Sequence, residues 1–295
     1  MDRNLFLKSL AALPLLSMDM NLQDLSHLSD SFAATPKMPV LFLGHGSPMN
    51  AIEENEFVAG FRNVAKNIPL PQAILCISAH WFTRGTKVTA MEMPPTIHDF
   101  GGFPPALYQV QYPAKGSPAL AAETKTLLQP THVDLDEKWG LDHGAWSVIK
   151  HLYPNANVPV IQMSIDYTQP ARYHYELAKK LSSLRHKGIL IIGSGNIIHN
   201  LRMADFANMH KDNYGYDWAI EARAAINSHL QDGNYAPLID FDKQGKAYQL
   251  AIPTPDHYLP LIYTLALQDK TDSLSLFNDK LLAGSLSMTS VRIGE

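Results

Sequence analysis

Short apolar runs alternate with segments of helical spacing along most of this chain, and this alternation limits the fold more than any other feature. We predict four buried strands, at residues 40–43, 73–78, 158–165 and 188–193. We predict helices at residues 55–66, 118–128, 146–151, 170–184 and 218–230. Strands that alternate with helices indicate a single α/β domain with a central, mostly parallel or mixed sheet flanked by helices.

The composition fits a globular protein and excludes some partners. Of 295 residues, 46% are hydrophobic and 18% are charged. The formal net charge is -4 and no block of Lys and Arg is present, so nucleic acid is not an expected partner. The single cysteine, Cys76, lies in a predicted strand, so we expect a buried, inert thiol and no intramolecular disulfide.

The N-terminal residues 1–36 form a separate region, either an extension or a degenerate signal-like segment. A basic start around Arg3 precedes an apolar stretch at residues 9–17, which resembles an export signal. A twin-arginine signal would need a second arginine where Asn4 stands. We expect a cytoplasmic protein, with export as the alternative. No run reaches the roughly 18 apolar residues of a membrane span, so the membrane is not an expected partner.

Four histidines stand where an apolar run breaks into a turn rich in Gly, Ser, Pro or Asp: His45, His80, His199 and His257. Ligands in α/β folds gather beyond the strand ends, so these side chains can converge although they are far apart in sequence. Neutral imidazoles without thiolates suit zinc, iron(II) or copper. We therefore predict a mononuclear, catalytic metal site at the strand ends, without a preference between zinc and iron.

Other residues are candidates for contact with a substrate. His143 follows Asp142 and has an indole on each side, so it is either an acid/base residue beside an aromatic substrate or a helix-start residue capped by Asp142. The Pro-rich loop at residues 94–105 either covers a planar substrate or packs over a sheet edge. The predicted substrate-binding residues are Trp81, His98, Asp99, Phe100 and Tyr258.

Several familiar enzyme motifs are missing from the sequence. The glycines at residues 193–195 lack the third glycine of a dinucleotide fingerprint, and no Walker A loop is present, so we expect no nucleotide cofactor. Ser47 has no Gly-x-Ser-x-Gly surroundings, which argues against a serine hydrolase. A His-Glu-x-x-His motif is also absent.

Residues 38–294 resemble the class III extradiol dioxygenase family, which includes DOPA-cleaving enzymes and the catalytic subunit of protocatechuate 4,5-dioxygenase. The resemblance is carried, in order along the chain, by residues 41–49, 78–85, 94–105, 139–146, 195–201, 253–260 and 284–288. It implies that residues 37–295 are the catalytic domain. It also implies ring cleavage of a small aromatic diol such as DOPA by O2, which inserts both oxygen atoms and gives a muconic semialdehyde.

The resemblance assigns roles to the histidines. It implies that His45, His80 and His257 bind one divalent metal ion, Fe(II) for dioxygenase activity or Zn(II) as the bound ion. His199 matches an additional ligand or an acid/base residue, and His143 matches a residue of the substrate pocket; we expect both to be catalytic. The alternatives are a zinc-dependent hydrolase and a non-enzymatic metal-binding relative on the same fold. The oligomeric state is not determined by the sequence.

Overall fold

The structure of the protein is a computed structural model, and it describes residues 34–295. The predicted signal-like features at Arg3, Asn4 and residues 9–17 lie outside the described residues. Among the helices of residues 34–295, none has the length and apolar character needed to cross a membrane.

The described chain contains an eight-stranded sheet, a short hairpin and surrounding helices. The strands are β1 Val40–Gly44, β2 Ala73–Thr83, β3 Thr86–Thr89, β4 Val133–Asp136, β5 Val160–Asp166, β6 Ile189–Gly195, β7 Leu274–Phe277, β8 Leu281–Leu282, β9 Leu286–Ser287 and β10 Ser290–Ile293. The α-helices are α1 Glu56–Ala65, α2 Pro105–Tyr108, α3 Pro118–Leu127, α4 His143–Leu152, α5 Ala171–Lys179, α6 Asp217–Gln231, α7 Ala236–Ile239, α8 Lys246–Ala251 and α9 Leu259–Leu265. Short 3-10 turns span Pro48–Ala51, Ser182–Lys187, Leu201–Met203, Phe206–Asn208 and Phe241–Lys243.

The sheet is mixed, with strand order β4-β3-β5-β2-β6-β1-β10-β7. The central pairs β5–β2, β2–β6 and β6–β1 are parallel, as is the pair β3–β4 near one edge. The pairs β3–β5, β1–β10 and β10–β7 are antiparallel. This architecture confirms the predicted α/β domain with a mixed sheet.

Helices α4 and α9 cover opposite faces of the sheet centre. Successive residues of a strand point to opposite faces. In β6, Gly193 faces the Pro260 carbonyl at the start of α9, whereas the Ser194 hydroxyl donates a hydrogen bond to the Gly144 carbonyl in α4. Because both faces are covered, β1, β5 and β6 are buried along their whole length and β2 is buried from Ala73 to Ala79, which explains their continuous apolar runs. Cys76 is fully buried in β2, as expected.

The structure corrects the predicted bounds of two elements. The strand predicted at residues 73–78 continues to Thr83, and its pairing with β5 shifts register between Ile77 and Phe82. The helix predicted at residues 170–184 ends at Lys179, and a 3-10 turn leads to Gly188, which has a positive φ of 69°. The sequence analysis did not predict the four-residue strands β3, β4, β7 and β10, each of which contains polar residues.

A buried ion pair holds the two ends of the described chain to the sheet. Arg185 is only 2% exposed, and it donates two hydrogen bonds to the Asp272 carboxylate, at 2.6 and 3.1 Å. It also donates to the carbonyls of Met38 and Leu267. Burial raises the pKa of Asp272, but the hydrogen bonds from Arg185, the Asp269 backbone and Lys37 together outweigh this effect, and the net pKa is lowered. These four hydrogen bonds therefore join Arg185 to residues near both ends of the described chain.

We expect Arg185→Ala to lower the free energy of unfolding by about 3 kcal/mol, the low end of the cost of breaking a buried ion pair, because the buried Asp272 carboxylate keeps only Lys37, at 2.7 Å, as a counter-ion. The control is Arg172→Ala, which removes an exposed 3.4 Å contact with Asp240 and should cost less than about 1 kcal/mol. Urea unfolding of both variants measures the difference. Equal, small losses would contradict the anchoring role of Arg185.

A second buried polar contact joins α5 to α9. His174 is fully buried, and its Nδ1 lies 2.8 Å from the Tyr263 hydroxyl. Burial lowers the pKa of His174 to about 4, despite hydrogen bonding by the backbone and the charge of Asp166. The imidazole is therefore neutral in the folded protein at pH 7.

Below pH 6.5 the unfolded chain binds a proton at His174 that the folded protein binds only near pH 4. The stability due to this residue is therefore complete above pH 6.5 and is lost as the pH falls toward 4. We expect His174→Gln to reduce the slope of unfolding free energy against pH in this window, by up to about 1.4 kcal/mol per pH unit. His132→Gln, at an 84% exposed side chain, should leave the slope unchanged; an unchanged slope in both would refute this role for His174.

Candidate active site

His45 is placed by the parallel pairing of β1 with β6. Gly44 and Gly195 pair at the ends of these strands, and the His45 backbone N–H donates to the Gly195 carbonyl at 3.0 Å. The Asn50 side chain donates to the His45 carbonyl at 2.9 Å and fixes the turn that follows. His45 is therefore held at the end of β1, where the sequence placed it, and is only 2% exposed.

His80 lies inside β2 and not after it. It occupies the stretch between Ile77 and Phe82 where pairing with β5 shifts register. Irregular strand segments change the direction of a side chain and are frequent beside active sites. The irregularity lets the strand continue while His80 faces His45: their Nε2 atoms are 3.3 Å apart.

His257 reaches the same point from the segment before α9. The Asn196 N–H donates to the His257 carbonyl at 3.0 Å, which fixes this segment at the end of β6. A Cβ at Gly195 would overlap that carbonyl oxygen. Glycine is therefore required at Gly195 for the close backbone approach that positions His257.

The three rings form one cluster. The ring centroids of His45, His80 and His257 are 5.0 to 5.2 Å apart. One nitrogen from each lies within 4.8 Å of the other two, a spacing at which they can share one metal ion. Two nitrogens bound to one ion at about 2.1 Å stand about 3.0–3.4 Å apart, and the His45–His80 separation of 3.3 Å fits.

Each ring has an oxygen beside its Nδ1. Ser194 Oγ lies 2.9 Å from His45 Nδ1, and because this hydroxyl donates to the Gly144 carbonyl it accepts from the imidazole. Asp256 accepts a hydrogen bond from His257 Nδ1, and Asp99 Oδ2 lies 3.4 Å from His80 Nδ1. Protons at Nδ1 leave the Nε2 lone pairs free, which is the tautomer that a metal ligand needs.

Burial keeps the His45 and His80 imidazoles neutral. It lowers the pKa of His45 well below the usual value, and the neighbouring histidines add to this effect. The pKa of His80 is lowered for the same reasons, chiefly burial, although Asp99 opposes the shift. Neutral rings with inward lone pairs form a set of nitrogen donors suited to a divalent ion.

His199 and His143 flank this cluster. The His199 ring stacks on His257 at 3.6 Å with an interplanar angle of 13°. One nitrogen of His199 also lies within 4.8 Å of ligand atoms of Asp256 and His257, so the predicted roles of His199 as an additional ligand or an acid/base residue both fit its position. The His143 ring lies 3.9 Å from that of His80, and Asp99 Oδ1 lies 3.0 Å from its Nδ1. Asp142 caps α4 by accepting from the Ala145 N–H.

The cluster lies in the wall of a cavity of about 740 Å³. Phe100 and Phe103, both from the loop at residues 94–105, form part of the wall, and Phe100 meets His143 edge-on at 5.4 Å. Further wall residues come from the segments after β1 and β6, among them Glu53, Leu201, Phe206, Met209 and His210. A cavity with apolar walls and a few converging polar groups is typical of a small-molecule site.

The predicted substrate-binding residues occupy different positions. Phe100 lines the cavity, and Asp99 lies behind His80 and His143. Trp81 is buried, stacks on Trp139 and is absent from the lining of this cavity, so its role in substrate binding stays a prediction.

Two further predicted residues are also outside the cavity lining. His98 Nε2 lies 2.9 Å from the Val110 carbonyl, and the buried Tyr258 hydroxyl donates to the Leu238 carbonyl at 3.0 Å. Both ring ends are thus directed at backbone groups. The sequence does not show the side from which the cavity is reached, so the predicted roles of His98 and Tyr258 in substrate binding stay predictions.

Sequence reasoning also missed residues that the structure brings to the site. Ser194 and Gly195 lie at the end of β6. The sequence indicated a turn there, but it did not show that His45 and His257 lie against these two residues. Phe103 belonged to the predicted covering loop. Glu53 and Phe206 lie in segments that carried no recognisable motif.

Comparison with known proteins defines the family. Residues 33–282 match the family described as the catalytic LigB subunit of aromatic ring-opening dioxygenase. The 4,5-DOPA dioxygenase extradiol of Escherichia coli (strain K12) is 47% identical, over 90% of this chain and 98% of that protein. The protein of the same name from Beta vulgaris is 33% identical, over 85% and 94%. A crystal structure of an uncharacterized Escherichia coli K12 protein matches with TM-score 0.76 at 42% identity, over 88% of this chain and 100% of that chain.

These findings place the protein in the class of aromatic ring-opening dioxygenases of the extradiol type. Within that class the chain belongs to the LigB family, and the matched residues 33–282 include most of the described part of the chain. The expected family and enzyme class are confirmed.

The position of His257 provides a test of the site geometry. We expect Gly195→Ala to displace the His257 backbone and to weaken zinc binding by about 10–100-fold, the range seen when supports of metal ligands are lost. Gly101→Ala is the control, because no atom lies within 4 Å of the added Cβ. Competition with a chromophoric chelator measures affinity, and circular dichroism verifies folding. Unchanged affinity in folded Gly195→Ala would refute this account of His257.

Proposed function

We propose that this protein cleaves the ring of a catechol such as DOPA beside its diol, with one Fe(II) ion held by His45, His80 and His257. The observation that supports this most is the convergence of three oriented imidazoles at the wall of an aromatic-lined cavity. The relatives named 4,5-DOPA dioxygenase extradiol support the substrate class. Both atoms of O2 would enter the product, a muconic semialdehyde.

The donor set agrees with this proposal. Three neutral nitrogen ligands leave positions on a divalent ion for the oxygens of a diol and for O2. When bound, the ion supplies positive charge that favours a catecholate and brings both substrates to one centre. The same three histidines would also hold Zn(II), which does not take part in redox chemistry.

The flanking histidines would move protons. His143 is placed to act as the base, because the Asp99 carboxylate lies beside its Nδ1. Burial raises the pKa of Asp99, but the hydrogen bonds and charge of His143, with the charge of His80, together lower it. An ionised Asp99 stabilises a protonated His143. Burial lowers the pKa of His199 to about 3, so this ring stays neutral at pH 7. Phe100 and Phe103 would hold the catechol ring against these groups and exclude water.

We expect metal-free protein, loaded anaerobically with iron(II) and then mixed with oxygen and L-DOPA, to consume one O2 per L-DOPA and to form the yellow semialdehyde. An oxygen electrode and a diode-array spectrometer follow both signals. If no catechol in a panel gives oxygen uptake or yellow colour while zinc stays tightly bound, the proposal is wrong. The protein would then be a zinc hydrolase that is active without oxygen, or a metal-binding protein.

Replacement of single histidines tests the roles. His257→Ala should abolish both iron binding and turnover, whereas His143→Gln should retain iron and lower kcat by about 100-fold or more. His132→Ala, at an exposed histidine remote from the cluster, is the control for both. Iron retention with full activity in His257→Ala would overturn the ligand assignment, and wild-type kcat in His143→Gln would remove its role in proton transfer.

A further inference from the structure

One part of the cavity lining carries a charge that ring cleavage does not need. The described lining residues contain a single carboxylate, Glu53, and neither Lys nor Arg. A catechol with a carboxylate side arm would find no fixed cation in this lining, whereas a side arm with an ammonium group would find an anion.

Glu53 differs from the acidic residues next to it. Glu54 forms a 2.6 Å ion pair with Arg62, and Glu56 forms a 2.8 Å ion pair with Lys280. The Glu53 side chain has no ion pair or hydrogen bond with any of residues 34–295. Its backbone N–H donates to the Met49 carbonyl at 2.9 Å, which fixes it at the end of the 3-10 turn that follows His45. The backbone of Glu53 is thus anchored at the cavity, and its carboxylate has no partner among residues 34–295.

The cavity also has room for a side arm. Its volume of about 740 Å³ falls in the range of sites that enclose drug-sized ligands, well above the needs of one aromatic ring. The wall that shares the cavity with Glu53 includes Leu201, Phe206 and Met209, all three with exposed apolar side chains. Methylene groups of an arm would contact these side chains while its charged end reaches Glu53.

We propose that Glu53 is a specificity-determining residue that selects catechols with an ammonium-bearing side arm over neutral or anionic ones. This inference rests on the proposed function, which identifies the ring as a catechol. It adds that the side arm of the preferred substrate carries a positive charge. Glu53 is exposed, so solvent weakens the attraction and salt screens it. The selection should therefore be moderate, about twofold to fivefold for the single contact.

The test is direct binding to zinc-loaded protein, which needs no turnover. The probes are dopamine, its neutral isostere 4-propylcatechol, and 3,4-dihydroxyphenylacetate, with Kd measured by calorimetry under anaerobic conditions. We expect wild type to bind dopamine most tightly and Glu53→Gln to weaken dopamine about twofold to fivefold without a change for 4-propylcatechol. Glu53→Lys should reverse the order of dopamine and 3,4-dihydroxyphenylacetate. Added salt should reduce the wild-type preference.

Glu54→Gln is the matched control, because it removes a neighbouring carboxylate that is paired with Arg62; its Kd values should equal those of wild type. Equal effects of Glu53→Gln on all three probes, or no effect on any, would overturn the role of Glu53. Failure of the proposed function is separate: it would appear as tight 4-propylcatechol binding without oxygen uptake in the iron-loaded protein, or as binding of none of the catechols. The latter result would overturn both proposals.

Discussion

The aligned ends of three parallel strands determine the rest of the site. Register between β1 and β6 pairs Gly44 with Gly195, and register between β2 and β6 pairs Ser78 with Ser194. These pairings bring the residues beyond each strand to one edge of the sheet, as is general for α/β folds. A slip of one residue would turn every side chain to the other face. Continuous burial on both faces therefore fixes both the core and the position of the histidines.

The burial that stabilises the sheet also prepares the imidazoles. It lowers the pKa of His45, His80 and His199, so these rings stay neutral at pH 7. Oxygen acceptors then decide which nitrogen carries the proton, with Ser194 beside His45 and Asp256 beside His257. Neutral charge and a fixed tautomer are the two conditions for nitrogen ligation, and they arise from different parts of the fold. The site is thus preorganised by burial together with a few hydrogen bonds.

The cavity combines this polar cluster with apolar walls. Aromatic side chains of Phe100 and Phe103 come from a loop whose Asp99 also supports two of the histidines. Contacts with a planar ring and orientation of the histidines therefore depend on the same loop. Farther along the lining, Glu53 provides a charge unrelated to the histidine cluster. In the two proposals, ring cleavage depends on the histidine cluster and selection among substrates depends on the segment that holds Glu53, a division that a family resemblance alone does not distinguish.

The sequence by itself determined most of the central strands, the long helices and the four candidate histidines, because burial on two faces requires continuous apolar runs and the turns beside them are rich in small residues. It placed His80 after a strand that in the structure continues to Thr83. It did not determine β3 or β4, whose short segments contain Thr, Lys and Asp. Only the tertiary structure placed Ser194 behind His45, turned Tyr258 and His98 toward backbone carbonyls, and left Glu53 unpaired beside the cavity. These features depend on side-chain direction and on residues far apart in the chain, and periodicity along a sequence carries neither.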